Sequence, residues 1–256
     1  MNKLARELWQ SARLLVPTNK FRAQLILLIF IAAAIPVTEL LVAKLFTDLV
    51  IDGANKPLSA ILLNLVVFGL LFVATRVANY LQKTYRVKFF EKAFGADDRE
   101  KTAQGESWEW AMALELVNVL SFMVQALVIT VFFFFLSPLM AGVTLLFLII
   151  LLQVMGVKFA TQLLTQRGFV EKRRAKEKVS PAERLGSRIQ SAEITTLLAS
   201  FFIVSLMVLL IFLSIEGFVS LSSTIVFFLG LRLLNTTLSS VSSALMRFAR
   251  AKANSF

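Results

Sequence analysis

The sequence contains no cysteine and no histidine. The first absence excludes a disulfide framework, a thiolate nucleophile and a cysteine-based metal site. The second removes the commonest general base and transition-metal ligand, and with it the usual Ser/His/Asp arrangement. None of the ten glycines is followed by lysine, so the phosphate-binding pattern G-x-x-x-x-G-K-[ST] has no match. No glycine-rich turn follows a predicted strand, and no strand-rich segment of useful length is present. Charge is also scarce, at 17% of residues, against about 25% in a soluble domain. The 16 acidic residues are too scattered to suggest a carboxylate dyad or a metal cage. The chain by itself is therefore expected to be neither an enzyme nor a holder of a cofactor or metal.

Apolar residues are what the chain has in excess, at 57% of 256 residues with a mean hydropathy of +0.77. They fall in blocks of roughly 20–28 residues, each long enough to cross about 30 Å of hydrocarbon at about 1.5 Å per residue. The run Phe132, Phe133, Phe134, Phe135 is an aggregation hazard on a soluble surface and ordinary in lipid. A net charge of +11 invites a nucleic-acid partner, because basic patches neutralise phosphates. Placement argues against that partner, since most of the positive charge lies beside apolar blocks. The first block is too long for a signal-peptide core and reads as a retained span.

The expected fold is all-α: six transmembrane helices, an N-terminal interfacial helix and two cytoplasmic helical extensions. Residues 1–22 form the interfacial segment. Leu4, Leu8, Leu14 and Leu15, with Trp9 beside them, give an apolar side, and Lys3, Arg6 and Arg13 give a basic one. Such a helix suits the headgroup layer, and a solvated arm is the alternative. Pro17 ends it. The transmembrane domain, 23–256, has spans at about 23–51, 58–82, 108–136, 139–164, 194–215 and 218–245. Pro36 predicts a kink in span one that neighbouring helices must accommodate. Cytoplasmic connections fall at about 83–106 and 165–193.

Orientation follows from the Lys and Arg positions. The N-terminal arm, residues 83–106, residues 165–188 and the tail together hold 22 of them, and the other three connections hold only Lys56. The positive-inside rule then places both termini in the cytoplasm. The three outer turns are minimal, while the two inner connections are long, charged and flanked by helical pattern. Spans two to five thus extend inward as two stalk-like hairpins, with tips at 95–106 and near 179–181. These are either a docking site for a cytoplasmic partner or a pair of solvated loops.

Charges inside the spans are the sharper clue, because they are costly in lipid and usually face a bundle interior or wet cavity. Lys44 and Asp48, at i and i+4, pair near the outer end of span one. Glu39 and Arg232 lie roughly 18 and 21 Å from the outer ends of spans one and six, so they can meet within a subunit or across a dimer. They are either elements of a cavity or a structural ion pair. Arg76, Lys158 and Glu115 lie near the cytoplasmic boundary, where long side chains snorkel. Span six is the most polar, with Asn235, Thr236, Thr237, Ser239, Ser240, Ser242 and Ser243 in its inner half. Asn235, Ser239 and Ser242 share a face with Arg232, which either lines a water-filled path or serves close packing.

This layout resembles the transmembrane domain of ATP-binding-cassette exporters. The features that carry the likeness are the amphipathic elbow, the six spans, the short outer turns and the two inward extensions. The segment Leu45, Phe46, Thr47, Asp48, Leu49, Val50, Ile51, Asp52, Gly53 looks like the family's entry into its first outer loop. Residues Gly217 to Leu221, on through Leu233 to Arg250 and Ala251, look like its last span. The resemblance covers nearly the whole chain as a match of layout. It implies a homodimer or pseudo-symmetric heterodimer, with spans four and five exchanged between subunits and span six lining the pathway. It also implies that Gly95, Ala96, Asp97, Asp98 and Arg99, and Val179, Ser180, Pro181 and Arg184, couple to an ATPase. No ATPase segment follows span six, so ATP and Mg are expected on a separate ATPase subunit. The inner extensions are short for the family, which places that subunit close to the membrane. A bacterial inner (plasma) membrane is the expected location. The Phe-rich bundle leans toward amphipathic or lipid-like cargo. Two other functions fit the residues: a six-span carrier or channel that needs no ATPase, and a membrane scaffold that transports nothing.

Overall fold

The computed structural model describes residues 2–16, 18–52, 57–95 and 103–255. Seven helices account for nearly all of them: α1 (Asn2–Leu15), α2 (Asn19–Asp52), α3 (Leu58–Gly95), α4 (Ala103–Leu136), α5 (Pro138–Arg174), α6 (Pro181–Ile215) and α7 (Leu221–Asn254). The last six are long and apolar enough to cross a membrane. Breakers stand at their ends. Pro138 and Pro181 open α5 and α6, where a missing N–H costs nothing, and the Ser180 hydroxyl accepts the Ala182 N–H at 3.2 Å. Ser220 caps α7 in the same way through the Ser223 N–H.

Two chain reversals use one device. After α6, Gly217 adopts φ 77° while the Phe218 N–H bonds the Leu213 carbonyl and its own N–H bonds Ser214. After α5, Lys176 takes that left-handed position at φ 59°, and the Glu177 and Lys176 N–H groups return to Lys172 and Arg173. This satisfies the last carbonyls of both helices.

α7 is the hub. It packs against α2, α4, α5 and α6. α4 comes close at Gly230, where a Cβ would lie 2.5 Å from the Phe133 ring, itself 4.9 Å from Phe227. α5 and α6 pack on each other and on α7 of their own chain, and α5 also packs on α4. α3 leans on α2, and just 6% of its apolar window is buried.

α1 turns Leu4, Leu8, Ser11 and Leu15 onto α4 and α5. Trp9, expected on the apolar side, points away at 60% exposure with the Arg13 guanidinium over its ring. Lys252 of α7, only 5% exposed, binds α1 through the Glu7 carboxylate, the Glu7 carbonyl at 3.1 Å and the Ser11 hydroxyl at 2.9 Å.

Pro36 sits inside α2 and has no N–H to give the carbonyl four residues back, that of Ala32. In lipid an orphaned carbonyl is expensive, so another donor must serve it. Gln125 of α4 supplies one, its Nε2 donating to Ala32 O at 2.8 Å. Replacing Gln125 with Leu is expected to cost about 1–3 kcal/mol, because it leaves that carbonyl bare. Thermal unfolding of the solubilised protein measures this, and an unchanged midpoint would remove the role assigned to Gln125.

Candidate functional site

Glu39 and Arg232 line one shallow cavity of about 330 Å³ between α2 and α7, with Leu40, Ala43, Leu229, Leu233 and Thr236. Both side chains are exposed on the outer surface of the bundle. Among the described residues neither has a hydrogen-bond or ion-pair partner. Along the helices Glu39 stands about 20 Å from the Asp52 end of α2 and Arg232 about 17 Å from the Leu221 end of α7. That depth is close to the middle of a hydrocarbon layer about 30 Å thick.

The polar face of α7 divides in two. Arg232, Thr236, Ser240, Ser243, Arg247 and Arg250, spaced by three or four residues, remain open or half-open with Ser239 beside them, and form one stripe along the helix. The hydroxyls of Thr236 and Ser240 are satisfied within the helix by the Leu233 and Thr236 carbonyls. Asn235 lies at the stripe's edge and accepts from the Ser200 hydroxyl at 3.4 Å. Ser242 does not belong to the stripe. It is 0% exposed, donates to the Ala192 carbonyl at 3.0 Å and is bonded to Thr195, so α6 seals it into the core. Thr236, Ser240, Ser243, Arg247 and Arg250 are the stripe residues that sequence reasoning did not place on the Arg232 face; steps of three or four residues from Arg232 through Thr236, Ser240, Ser243 and Arg247 to Arg250 are the signal that identifies them.

Two polar clusters bracket this face. At the end carrying the short turns, Lys44 pairs with Asp48 at 2.9 Å and donates to Ser222 and Ser223 of α7 at 3.1 and 3.4 Å. Ser222 also bonds Asp48 and is within 3.4 Å of Thr47, so the expected i, i+4 pair is part of an α2–α7 clamp. At the opposite, basic end, Glu115 of α4 receives Arg247 at 2.6 Å and the Asn118 amide at 3.3 Å. Arg86 of α3 donates to Asn118 at 2.7 Å. Arg86 lies about 42 Å along α3 from Leu58, past the hydrocarbon. Burial pushes its guanidinium below the usual range, opposed by the charge of Glu115. Glu115 thus does more than snorkel, since it joins α3, α4 and α7.

Of the coupling candidates, Gly95 ends α3, while Ala96, Asp97, Asp98 and Arg99 lie outside the described residues. Val179 and Ser180 form the connection ahead of α6, and Pro181 and Arg184 are in its first turn and a half. The structure thus brings Glu39 and Arg232 to one groove and leaves Val179 to Arg184 together at the basic end.

Six long apolar helices bearing charge at mid-depth define a multi-span membrane protein. Compared with known protein families and with curated proteins, the chain matches none.

Proposed function

We propose that the chain is the transmembrane subunit of an ATP-binding-cassette transporter, an exporter by its layout. Two copies, or this chain and a pseudo-symmetric partner, line one translocation pathway across a bacterial inner membrane with their termini in the cytoplasm. ATP and Mg are bound by a separate ATPase subunit, which docks at the basic end near Val179 to Arg184.

One observation carries the reading. Among the described residues Glu39 and Arg232 have no partner; they stand on the outside of the bundle at mid-membrane depth, at the head of a polar stripe on α7. Lipid is a poor solvent for such a face, whereas a water-filled path closed by a second subunit suits it. α7 then contributes the stripe and α2 its acidic counterpart.

Gentle solubilisation from native membranes, followed by identification of what copurifies, tests this. The expected result is a complex of two transmembrane subunits with an ATP-binding protein and measurable ATPase activity. Recovery of free homodimers alone rules out the ATPase. If such homodimers move cargo on an ion gradient, the ATPase-independent carrier replaces the present reading.

A further inference from the structure

A second cavity, of about 120 Å³, opens at the basic end between α5, α6 and α7. One water needs about 10–15 Å³ of such space, so a larger guest fits. Its lining brings together Arg173, Arg184, Arg188 and Arg250 with Gln166 and Asn254, and includes no Asp or Glu. Gln166 is 4% exposed, and its Nε2 is buried without a hydrogen-bond partner among the described residues. The Nε of Arg184 is buried and unpartnered as well. Buried donors of this kind cost free energy unless something accepts from them. The acid whose charge acts on Arg188 is Glu115, which Arg247 already engages. The N-terminus of the 35-residue α6 adds its positive dipole end at Pro181, another lining residue.

Positive charge therefore accumulates here with no acid in the lining. Arg188 lies about 40 Å from the Ile215 end of α6, outside the hydrocarbon. Burial holds its guanidinium below the usual range, and the neighbouring charges of Arg250 and Arg247 push the same way.

We propose that this cleft is a binding site for a phosphate group, held by Arg184, Arg188 and Arg250 with the Gln166 amide as a neutral donor. Guanidinium forks match phosphate oxygens in geometry and charge, and the amide gives the ligand a partner that charge alone would not provide. The phosphate belongs either to a free anion or to the headgroup of an anionic lipid, since the cleft lies past the hydrocarbon on the headgroup side of the basic end. The site does not depend on the transport reading.

The test uses the full chain. In detergent, native mass spectrometry follows added inorganic phosphate. In phosphatidylcholine vesicles containing a minority of phosphatidic acid, the lipid that copurifies is quantified. Phosphate binding in the first arm identifies a free anion, and enrichment of phosphatidic acid alone in the second identifies a headgroup. In either arm Arg188→Gln and Gln166→Leu are expected to weaken binding about tenfold, while Lys172→Gln, an equal loss of charge outside the cleft, leaves it unchanged. Thermal midpoints confirm that each variant is folded, and Arg188→Lys serves where Arg188→Gln is not. Absence of binding in both arms overturns the proposal. Equal weakening by Lys172→Gln also overturns it, because it reduces the effect to net charge.

Discussion

Arg232→Glu is expected, on the proposed reading in which a second subunit closes the groove, to reduce the assembled dimer at least about tenfold, because it sets a second carboxylate beside Glu39. Glu39→Arg should do the same by pairing like charges of the other sign. The double variant, with both charges exchanged, is expected to regain most of the assembly, since the sum and depth of charge are restored. Cross-linking in native membranes reads the outcome, and the chain offers a clean background because it has no cysteine of its own. Thr236 is a suitable position for a single introduced thiol, being exposed on the stripe one turn from Arg232. Dimer levels that ignore both single reversals would show that the groove faces something other than a second subunit. Full assembly with lost transport in the neutral variants Glu39→Gln and Arg232→Gln would instead place the pair in the path itself.

Lys252→Met should be the most destabilising single change near the basic end, at about 3 kcal/mol. It strands the Glu7 carboxylate at a largely buried contact, and breaking such a pair costs more than removing both charges. The double variant Glu7→Gln with Lys252→Met is accordingly expected to recover a large part of the loss. Local release of α1 is the expected route, so trypsin should cut at Arg6 or Arg13 sooner in Lys252→Met than in the parent. A Lys252→Met protein with unchanged melting and unchanged cleavage would mean that α1 is held by its leucines alone.

Much of this architecture was legible in the sequence, for a physical reason. Apolar blocks of membrane-crossing length and basic connections of alternating size are one-dimensional signals, and the six long helices follow them. The continuation of α3 to Gly95 and of α5 to Arg174, beyond membrane-crossing length, likewise follows from unbroken helical pattern. Local pairs were legible too, as Lys44 and Asp48 illustrate. What stayed hidden depends on which helix stands next to which. Ser239 and Ser242 are three positions apart, about 60° around the helix, and the boundary with α6 falls between them. Periodicity gives a face its direction and says nothing of its neighbour. The service that Gln125 renders to Ala32 is of the same kind, as the two lie 93 residues apart. So is the cleft at the basic end, where arginines from three helices that look like ordinary topogenic charge in the sequence converge on a buried amide.

The position of α7 at the hub has a consequence for biosynthesis. α2, α4, α5 and α6 all pack against it, and α1 is clasped by its Lys252. It is also the last of the six long helices to leave the ribosome. The earlier five must therefore wait in the bilayer with their inward faces open, Gln125 already serving Ala32 but Lys44 still lacking Ser222. The tertiary structure closes only once the sixth has been inserted, so the last long helix made completes the core of those before it.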